Sequence, residues 1–417
     1  MNDNKSLRKI ALDYFLDYVK FNTEADPKSG LTPSSEGQKV LASRLADDLK
    51  ELGLDVTVSD YHYVYGKLDA NREELKNLPP LGFISHMDTS PDFCGDRVSP
   101  RIINYQGGDI LLDKDEDIKI EENLFPELKS LKGEDIVVTN GHTLLGADDK
   151  AGVAEIMTLF KYLHDNPEYP HGPLRVCFTP DEEIGEGTKF FDLNLFDAYY
   201  AYTMDGSVLG ELEYENFNAA AAIIKVDGLS VHPGTAKGKL VNAAAIAAKF
   251  ISKMDEMDTP EHSEGREGFF HLGSVSGSVS QAEIEYIIRD FDKLSFENRK
   301  TKLQNLVDEL NKSLDKNRLS IEIRDQYYNM KEKVEDRFEL IERARLAMKA
   351  IGVTPKEEAI RGGTDGAMLS WKGLPCPNIF TGGANFHGRY EYLVVSTMEK
   401  AIEFLINIVK IYAEAKD

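Results

Sequence analysis

The chain has 417 residues with 49 basic and 72 acidic side chains, a formal net charge of −23 that argues against nucleic acid and anionic membranes as partners. The length predicts more than one domain, and no run of about 18 apolar residues and no apolar leader is present, so we expect neither a membrane span nor a signal peptide. Cys94, Cys177 and Cys376 are far apart and without CxxC spacing, so the sequence indicates neither a disulfide framework nor a thiolate zinc site, and it favours a reducing cytoplasm.

The first 100 residues alternate between helical and strand patterns. Apolar residues recur at helical spacing in residues 7–21 and 37–52. Strict alternation predicts a strand at 54–58, and a short apolar strand at 81–85 ends at His86. This order predicts an α/β sheet with helices on its faces.

Residues 108–135 differ from this pattern because they hold ten acids and show weak periodicity. We interpret them as an acidic excursion on the surface, with its individual charges solvated. Beyond it, a helix is predicted to about residue 163, and strands at 174–179 and 198–203 each lead into acidic residues. Ligands bind at the carboxyl ends of the strands in such sheets.

The middle of the chain predicts a separate α+β domain at 216–330, inserted into a discontinuous domain formed by 1–215 and 331–417. Its elements follow the order β-α-β-β-α-β, the split βαβ or ferredoxin-like arrangement. The predicted elements are strand 219–226, helix 241–254, strands 269–278 and 282–290, helix 296–314 and strand 319–324.

Five short segments supply acids and histidines near the ends of predicted elements. They contain His86 and Asp88, Asp148 and Asp149, Glu182 and Glu183, Asp205, and His387. Any one of them alone fits a solvated loop or an ordinary core residue. Together, carboxylates and histidines without cysteine fit one or two divalent ions of the zinc, cobalt or manganese kind. In an adjacent acid pair, one carboxylate can bind metal while the other moves a proton.

These motifs resemble the co-catalytic zinc metallopeptidase family of peptidase T, carboxypeptidase G and the aminoacylases. The matching segments are His86-Met87-Asp88-Thr89, Gly146-Ala147-Asp148-Asp149-Lys150-Ala151-Gly152, Asp181-Glu182-Glu183-Ile184-Gly185, Met204-Asp205-Gly206 and Asn385-Phe386-His387-Gly388. Segments 231–237 and 360–366 are most similar to the peptidase T branch. The resemblance covers nearly the whole chain and implies a mixed-sheet catalytic domain with the inserted domain as its lid.

The resemblance implies a role for each motif residue. His86 and Asp205 would bind one zinc ion, Glu183 and His387 would bind the other, and Asp148 would bridge the two. Glu182 would be the general base and acid, and Asp88 would orient His86. The Asp148–Asp149 peptide bond would be cis.

Substrate contacts are predicted from both domains. Arg289 is suited to bind a peptide carboxylate through two parallel hydrogen bonds. From the sequence alone, a surface salt bridge is an equally good interpretation of this residue. His232 could donate to the oxyanion, although His-Pro-Gly is also an ordinary turn. Arg361, Thr364 and Asp365 lie in a glycine-rich loop that could hold substrate backbone or amine, although its glycines could simply form turns.

The predicted function is a di-zinc aminopeptidase that releases the N-terminal residue of tripeptides, with Co²⁺ or Mn²⁺ as other metals that fit. The alternative is a dipeptidase or N-acyl-amino-acid deacylase of the same family, which would share the metal site. Small peptides are the expected partners, and the resemblance allows a homodimer. A non-catalytic metal-binding protein is disfavoured because Glu182 and all five ligand candidates are present.

Overall fold

The computed structural model describes residues 2–415, which form ten α-helices and seventeen β-strands. The helices are α1 Asn2–Tyr18, α2 Glu36–Glu51, α3 Ala147–Asp165, α4 Leu193–Phe196, α5 Ala243–Ile251, α6 Lys293–Lys312, α7 Lys331–Glu335, α8 Glu339–Ala350, α9 Asp365–Trp371 and α10 Val395–Glu414. The strands are β1 Asp55–Val58, β2 Val64–Leu68, β3 Leu81–His86, β4 Arg101–Asn104, β5 Ile110–Asp113, β6 Ile118–Ile120, β7 Asp135–Val138, β8 Leu174–Thr179, β9 Tyr200–Gly206, β10 Leu212–Glu213, β11 Asn218–Asp227, β12 Phe269–Gly277, β13 Gln281–Asp290, β14 Leu319–Tyr327, β15 Asn378–Phe380, β16 Gly383–Ala384 and β17 Tyr392–Val394. Within the described range, no helix is long and apolar enough to cross a membrane.

The chain divides into two compact units. The first contains the residues up to Tyr214, Lys333–Glu358 and the residues from Thr364 onward, and the second contains Glu215–Glu332 and Ala359–Gly363. The segment Ala359–Gly363 belongs to the second unit, whereas our prediction placed it in the catalytic domain. It joins the second unit because Ile360 donates its N–H to the Glu215 carbonyl and accepts one from Phe217.

The first unit is built on a mixed seven-stranded sheet with the order β1-β2-β8-β3-β9-β15-β10. The central strands β8, β3, β9 and β15 are parallel, and β1, β2 and β10 pair antiparallel at the two sides. The almost wholly buried α3 packs on β3 and β9 and against α1 and α10. The carboxyl ends of three neighbouring parallel strands therefore lie together at one edge of the sheet.

A smaller sheet changes how the first acid pair is positioned. Strand β7, which precedes the pair, lies in the order β16-β17-β7-β4 and not in the main sheet. Asp148 and Asp149 therefore follow a loop and begin α3, and the strand that precedes them is not part of the main sheet. The cause is tertiary pairing, because β7 finds its partners in β4 and β17.

The acidic excursion contains more structure than its composition indicates. Strands β5 and β6 form an antiparallel hairpin, and Ile110, Leu112, Ile118 and Ile120 are buried in an apolar cluster. Charged residues at the hairpin turn interrupt the apolar alternation in the sequence, which is why the periodicity is weak.

The second unit has the order β11-α5-β12-β13-α6-β14 and a four-stranded antiparallel sheet, β12-β13-β11-β14. Helices α5 and α6 cover this sheet, with Phe250, Ile284, Phe296 and Leu303 buried between the layers. Asn242 and Asp292 begin the two helices by accepting backbone N–H groups through their side chains.

Candidate metal centre

Neighbouring strands of the main sheet bring three of the motifs together. His86 is the last residue of β3, Asp205 lies in β9 beside it, and the turn carrying Glu182 and Glu183 follows β8 on the other side. The apolar runs of these strands bury them in the core and leave polar residues at their carboxyl ends.

His86 is held in the orientation that a metal ligand needs. Its ring is buried, and Nδ1 lies 3.2 Å from the main-chain oxygen of Asp88. A carbonyl oxygen can only accept, so Nδ1 carries the proton and Nε2 is the free ligand atom of the neutral ring. That Nε2 lies 2.8 Å from Oδ1 of Asp148 and 3.5 Å from Oδ1 of Asp205.

Asp148 offers its two oxygens to two different histidines. Oδ1 faces His86, and Oδ2 lies 3.4 Å from Nε2 of His387. The same His387 nitrogen lies 2.9 Å from Oε2 of Glu183. The peptide bond between Asp148 and Asp149 is cis, as the resemblance implied. The carboxylate of Asp148 is therefore placed as a bridge between two groups of ligand atoms.

Asp88 organises the turn that carries the paired glutamates. Its two carboxylate oxygens accept the backbone N–H groups of Glu182 and Glu183, at 3.0 and 3.1 Å. Its Oδ1 also lies 3.4 Å from Nδ1 of His86. One buried carboxylate thus positions both the histidine and the acid pair.

The electrostatics of this cluster match a site for cations. Burial opposes a charge on His86, yet hydrogen bonds to Asp148, Asp205 and Asp88 raise its pKa well above the ordinary value. Hydrogen bonds to Asp148 and Glu183 raise the pKa of His387 to about 11. Burial raises the pKa of Glu183 to about 7. The concentrated negative charge therefore draws protons to the cluster, and divalent ions would satisfy the same charge.

The donor atoms fit two metal ions. Ligand atoms of His86, Asp148 and Glu183 lie within 4.8 Å of one another, and those of His86, Asp149 and Asp205 do the same. Oε1 of Glu183 is buried without a hydrogen-bond partner, as expected for an oxygen whose partner is a cation. Nitrogen and carboxylate donors without sulfur suit zinc, cobalt or manganese.

Comparison with known proteins identifies the family. Residues 139–411 match the family described as Peptidase family M20/M25/M40, a match that spans well over half of the chain. The chain belongs to this peptidase family. It is 51% identical over 404 residues to Peptidase T of Halothermothrix orenii, with 96% of this chain and 98% of that protein covered. The family predicted from the five motifs is confirmed, and so is the hydrolysis of peptide bonds as the reaction class.

Two crystal structures support the fold of this peptidase. The aminopeptidase PepT from Bacillus cereus aligns with a TM-score of 0.76 and 23% identity, covering 98% of this chain and 99% of that chain. A tripeptidase from Staphylococcus aureus gives the same TM-score, identity and coverage. The predicted mixed-sheet α/β class is confirmed.

Three residues support the candidate metal site through contacts that were not predicted from the sequence. Asp181 is buried and accepts from the backbone N–H and hydroxyl of Ser34 and from Gln38, which ties the turn carrying Glu182 and Glu183 to the start of α2. Asp149 accepts from the Ser85 hydroxyl and from the His86 N–H. Glu391 accepts three N–H groups near Asp148. Their partners are distant in sequence, so no local pattern reveals them.

Thr364 and Asp365, predicted to contact substrate, are buried in the first unit of the peptidase. Thr364 begins α9 and accepts the Gly366 N–H, and Asp365 accepts from the hydroxyl of Thr179 at the end of β8. A side chain at Gly187 would place Cβ 2.3 Å from Oδ1 of Asp365, so the Asp365 carboxylate would have to move to accommodate it. Oδ1 of Asp365 has no hydrogen-bond partner, and burial raises the pKa of this residue to about 7.

His232 and Arg289 belong to the second unit and have defined orientations there. Nδ1 of His232 accepts the Gly234 N–H at 3.1 Å, so the neutral ring carries its proton on Nε2, and the side chain is exposed. Arg289 donates to the carbonyl of Ile288 and to Gln326, and its guanidinium lies over the Tyr327 ring. Burial lowers the pKa of Arg289.

Arg361 is engaged by its own unit. Its guanidinium donates to the carbonyls of Ser263, Gly265 and Glu267 and to the Ser263 hydroxyl, and it lies over the rings of Phe217 and Phe269. These contacts tie the 359–363 segment to the 263–267 loop. They give Arg361 a structural role beside the substrate role that we predicted.

Replacing Arg361 with Ala is therefore expected to destabilise the second unit by about 1–3 kcal/mol, because several charge-assisted hydrogen bonds to carbonyls are lost. Urea denaturation monitored by circular dichroism measures the change. Arg361→Lys keeps the positive charge but lacks the planar guanidinium, so it should restore only part of the lost unfolding free energy. Unchanged stability with a raised KM would instead support direct substrate contact.

Proposed function

We propose that this chain is a dinuclear zinc aminopeptidase that releases the N-terminal residue of tripeptides. The observation that carries the proposal is the Asp148 carboxylate, whose oxygens face His86 on one side and His387 on the other. A single buried ion needs no such bridge, whereas a pair of ions about 3.5–4 Å apart does.

The ligand assignment follows the contacts. His86 and Asp205 would hold one ion, His387 and Glu183 would hold the other, and Asp148 would be shared by both. When bound, the two ions supply Lewis acidity, which polarises a peptide carbonyl and makes water easier to deprotonate. Asp88 and Asp149 position these residues by accepting the backbone N–H groups of Glu182, Glu183 and His86.

Glu182 moves the proton in this proposal. Its backbone is fixed by Asp88, and its carboxylate makes no hydrogen bond that would commit it to another residue within the described chain. Burial and the carboxylates of Asp205, Asp365 and Glu183 raise its pKa well above the ordinary value, with His86 opposing. Glu182 takes a proton from the attacking water at a carboxylate oxygen and delivers it to the departing amine nitrogen.

His232 and Arg289 are the proposed substrate residues of the second unit. The exposed Nε2–H of His232 can donate to the oxygen that becomes negative when the carbonyl is attacked. The guanidinium of Arg289, oriented by Tyr327 and Gln326, can hold the carboxylate of a peptide. Similarity to Peptidase T of Halothermothrix orenii and to an aminopeptidase and a tripeptidase of known structure further supports the tripeptide specificity.

A matched peptide series tests the function. We expect cleavage of a free tripeptide with release of its N-terminal residue, little cleavage of the matching dipeptide and tetrapeptide, and loss of cleavage when the tripeptide is N-acetylated or C-amidated. Product analysis by mass spectrometry, with and without a chelator, measures this. Preference for the N-acetylated compound or the dipeptide would instead indicate the deacylase or dipeptidase activity, with the metal site retained.

A further inference from the structure

The side chain of Glu391 is buried beside the proposed metal ligands. It is 1% exposed, and it collects three backbone N–H groups from the start of α3. Oε2 accepts from Leu145 at 2.6 Å and from Gly146 at 2.8 Å, and Oε1 accepts from Asp148 at 3.1 Å. The first N–H groups of a helix have no partner within the helix, and an anion there is also favoured by the helix dipole.

The fold brings Glu391 to this position from the far end of the chain. The residue immediately precedes β17, which pairs antiparallel with β7 so that Tyr392 is opposite Val138. Strand β7 leads into the loop that ends at Asp148. The N–H of Glu391 itself donates to the carbonyl of Gly388, next to His387. Glu391 is therefore bonded to both segments whose side chains meet at the proposed second ion.

We propose that Glu391 is a positioning residue for the metal pair: by gathering the Leu145, Gly146 and Asp148 N–H groups, it fixes the main chain of the bridging Asp148 relative to His387. This inference rests on the proposed dinuclear site and extends it to a residue that makes no contact with substrate. The carboxylate is needed because three donors converge on it, and an amide offers one oxygen and places its NH₂ group against an N–H.

The test is metal binding by the full chain. Metal-stripped Glu391→Gln is titrated with Zn²⁺ against a fluorescent chelator, which reads the metal site independently of any cleavage. We expect the affinity for at least one of the two ions to fall about 10–100-fold, the scale seen when residues supporting a metal ligand are changed. Turnover at saturating Zn²⁺ should return to within a few-fold of wild type, since no group that touches the substrate is altered.

Glu155→Gln is the matched control. Glu155 is a fully buried glutamate on the same helix, and its carboxylate makes no hydrogen bond within the described chain. It should bind Zn²⁺ as the wild type does. Wild-type affinity in Glu391→Gln would overturn the proposal, and so would an equal loss in both variants, which would indicate a general effect of removing a buried acid.

A second variant covers the case in which Glu391→Gln fails to fold. Glu391→Asp keeps the charge, but its shorter side chain cannot reach all three N–H groups. We expect a smaller loss of Zn²⁺ affinity, with the same recovery of turnover at high metal concentration. Wild-type affinity in this variant, or a turnover defect that persists with both ions bound, would overturn the proposal. If neither the wild type nor the Glu391 variants cleave any peptide, the Zn²⁺ titration still decides the role of Glu391.

Discussion

Replacing Glu182 with Gln is expected to lower kcat for a free tripeptide by about 10³-fold while both metal ions stay bound. Glutamine has nearly the same shape, and its backbone N–H can still donate to Asp88. It cannot take a proton from water or deliver one to the leaving amine, and general acid–base catalysis contributes about 10²–10⁴ to such reactions. Steady-state kinetics measures the loss, and elemental analysis by mass spectrometry measures the metal.

The appropriate control is Glu186→Gln, in the same turn. Glu186 pairs with Lys189 on the surface, so its replacement removes a similar charge without affecting the proposed proton path. Glu186→Gln should keep wild-type kcat. Full activity in Glu182→Gln would remove that residue from the mechanism. Loss of metal together with activity would indicate that Glu182 is a ligand and not the base.

The positions of the proposed ligands and proton carrier could be predicted because each lies within a few residues of a clear local signal. His86 ends an apolar strand, and Glu182 and Asp205 follow or end two others. Their convergence then follows from the rule that parallel strands end at one edge. The adjacent acids Asp148 and Asp149 were predicted to precede a helix, as they do. The separate sheet that contains β7 could not be predicted, because the partners of β7 are set by tertiary pairing.

Residues that act through distant partners were beyond sequence analysis. Glu391 resembles any acid in a loop until β17 pairs with β7 and brings it to Leu145 and Gly146. Arg361 was predicted to contact substrate because it lies in a glycine-rich loop. The carbonyls that it binds could not be predicted, because they lie about a hundred residues earlier in the chain. A glycine-rich loop shows that the backbone turns there, and it does not show which groups will surround the neighbouring side chains.

The proposed role of Asp148 as a ligand shared by two ions predicts a larger change on mutation than the role of a residue that would bind only one ion. In Asp148→Asn, one oxygen is replaced by an NH₂ group, which is a donor and cannot bind a cation. At most one of the two proposed ions then keeps its ligand from this residue. We expect the metal content after dialysis to fall from two ions per chain to one or fewer, and kcat to fall by about 10³-fold or more, because the two-ion activation of carbonyl and water is lost.

Asp149→Asn distinguishes the bridge from its neighbour. Both acids lie close to His86, and a carboxylate oxygen of Asp149 lies within 4.8 Å of ligand atoms of His86 and Asp205. However, Oδ2 of Asp149 already accepts from the Ser85 hydroxyl and the His86 N–H, so its role is to hold β3 and α3 together. Asp149→Asn should therefore retain two ions even if it lowers the thermal unfolding temperature. Two ions in Asp148→Asn and one in Asp149→Asn would reverse the assignment and make Asp149 the shared ligand.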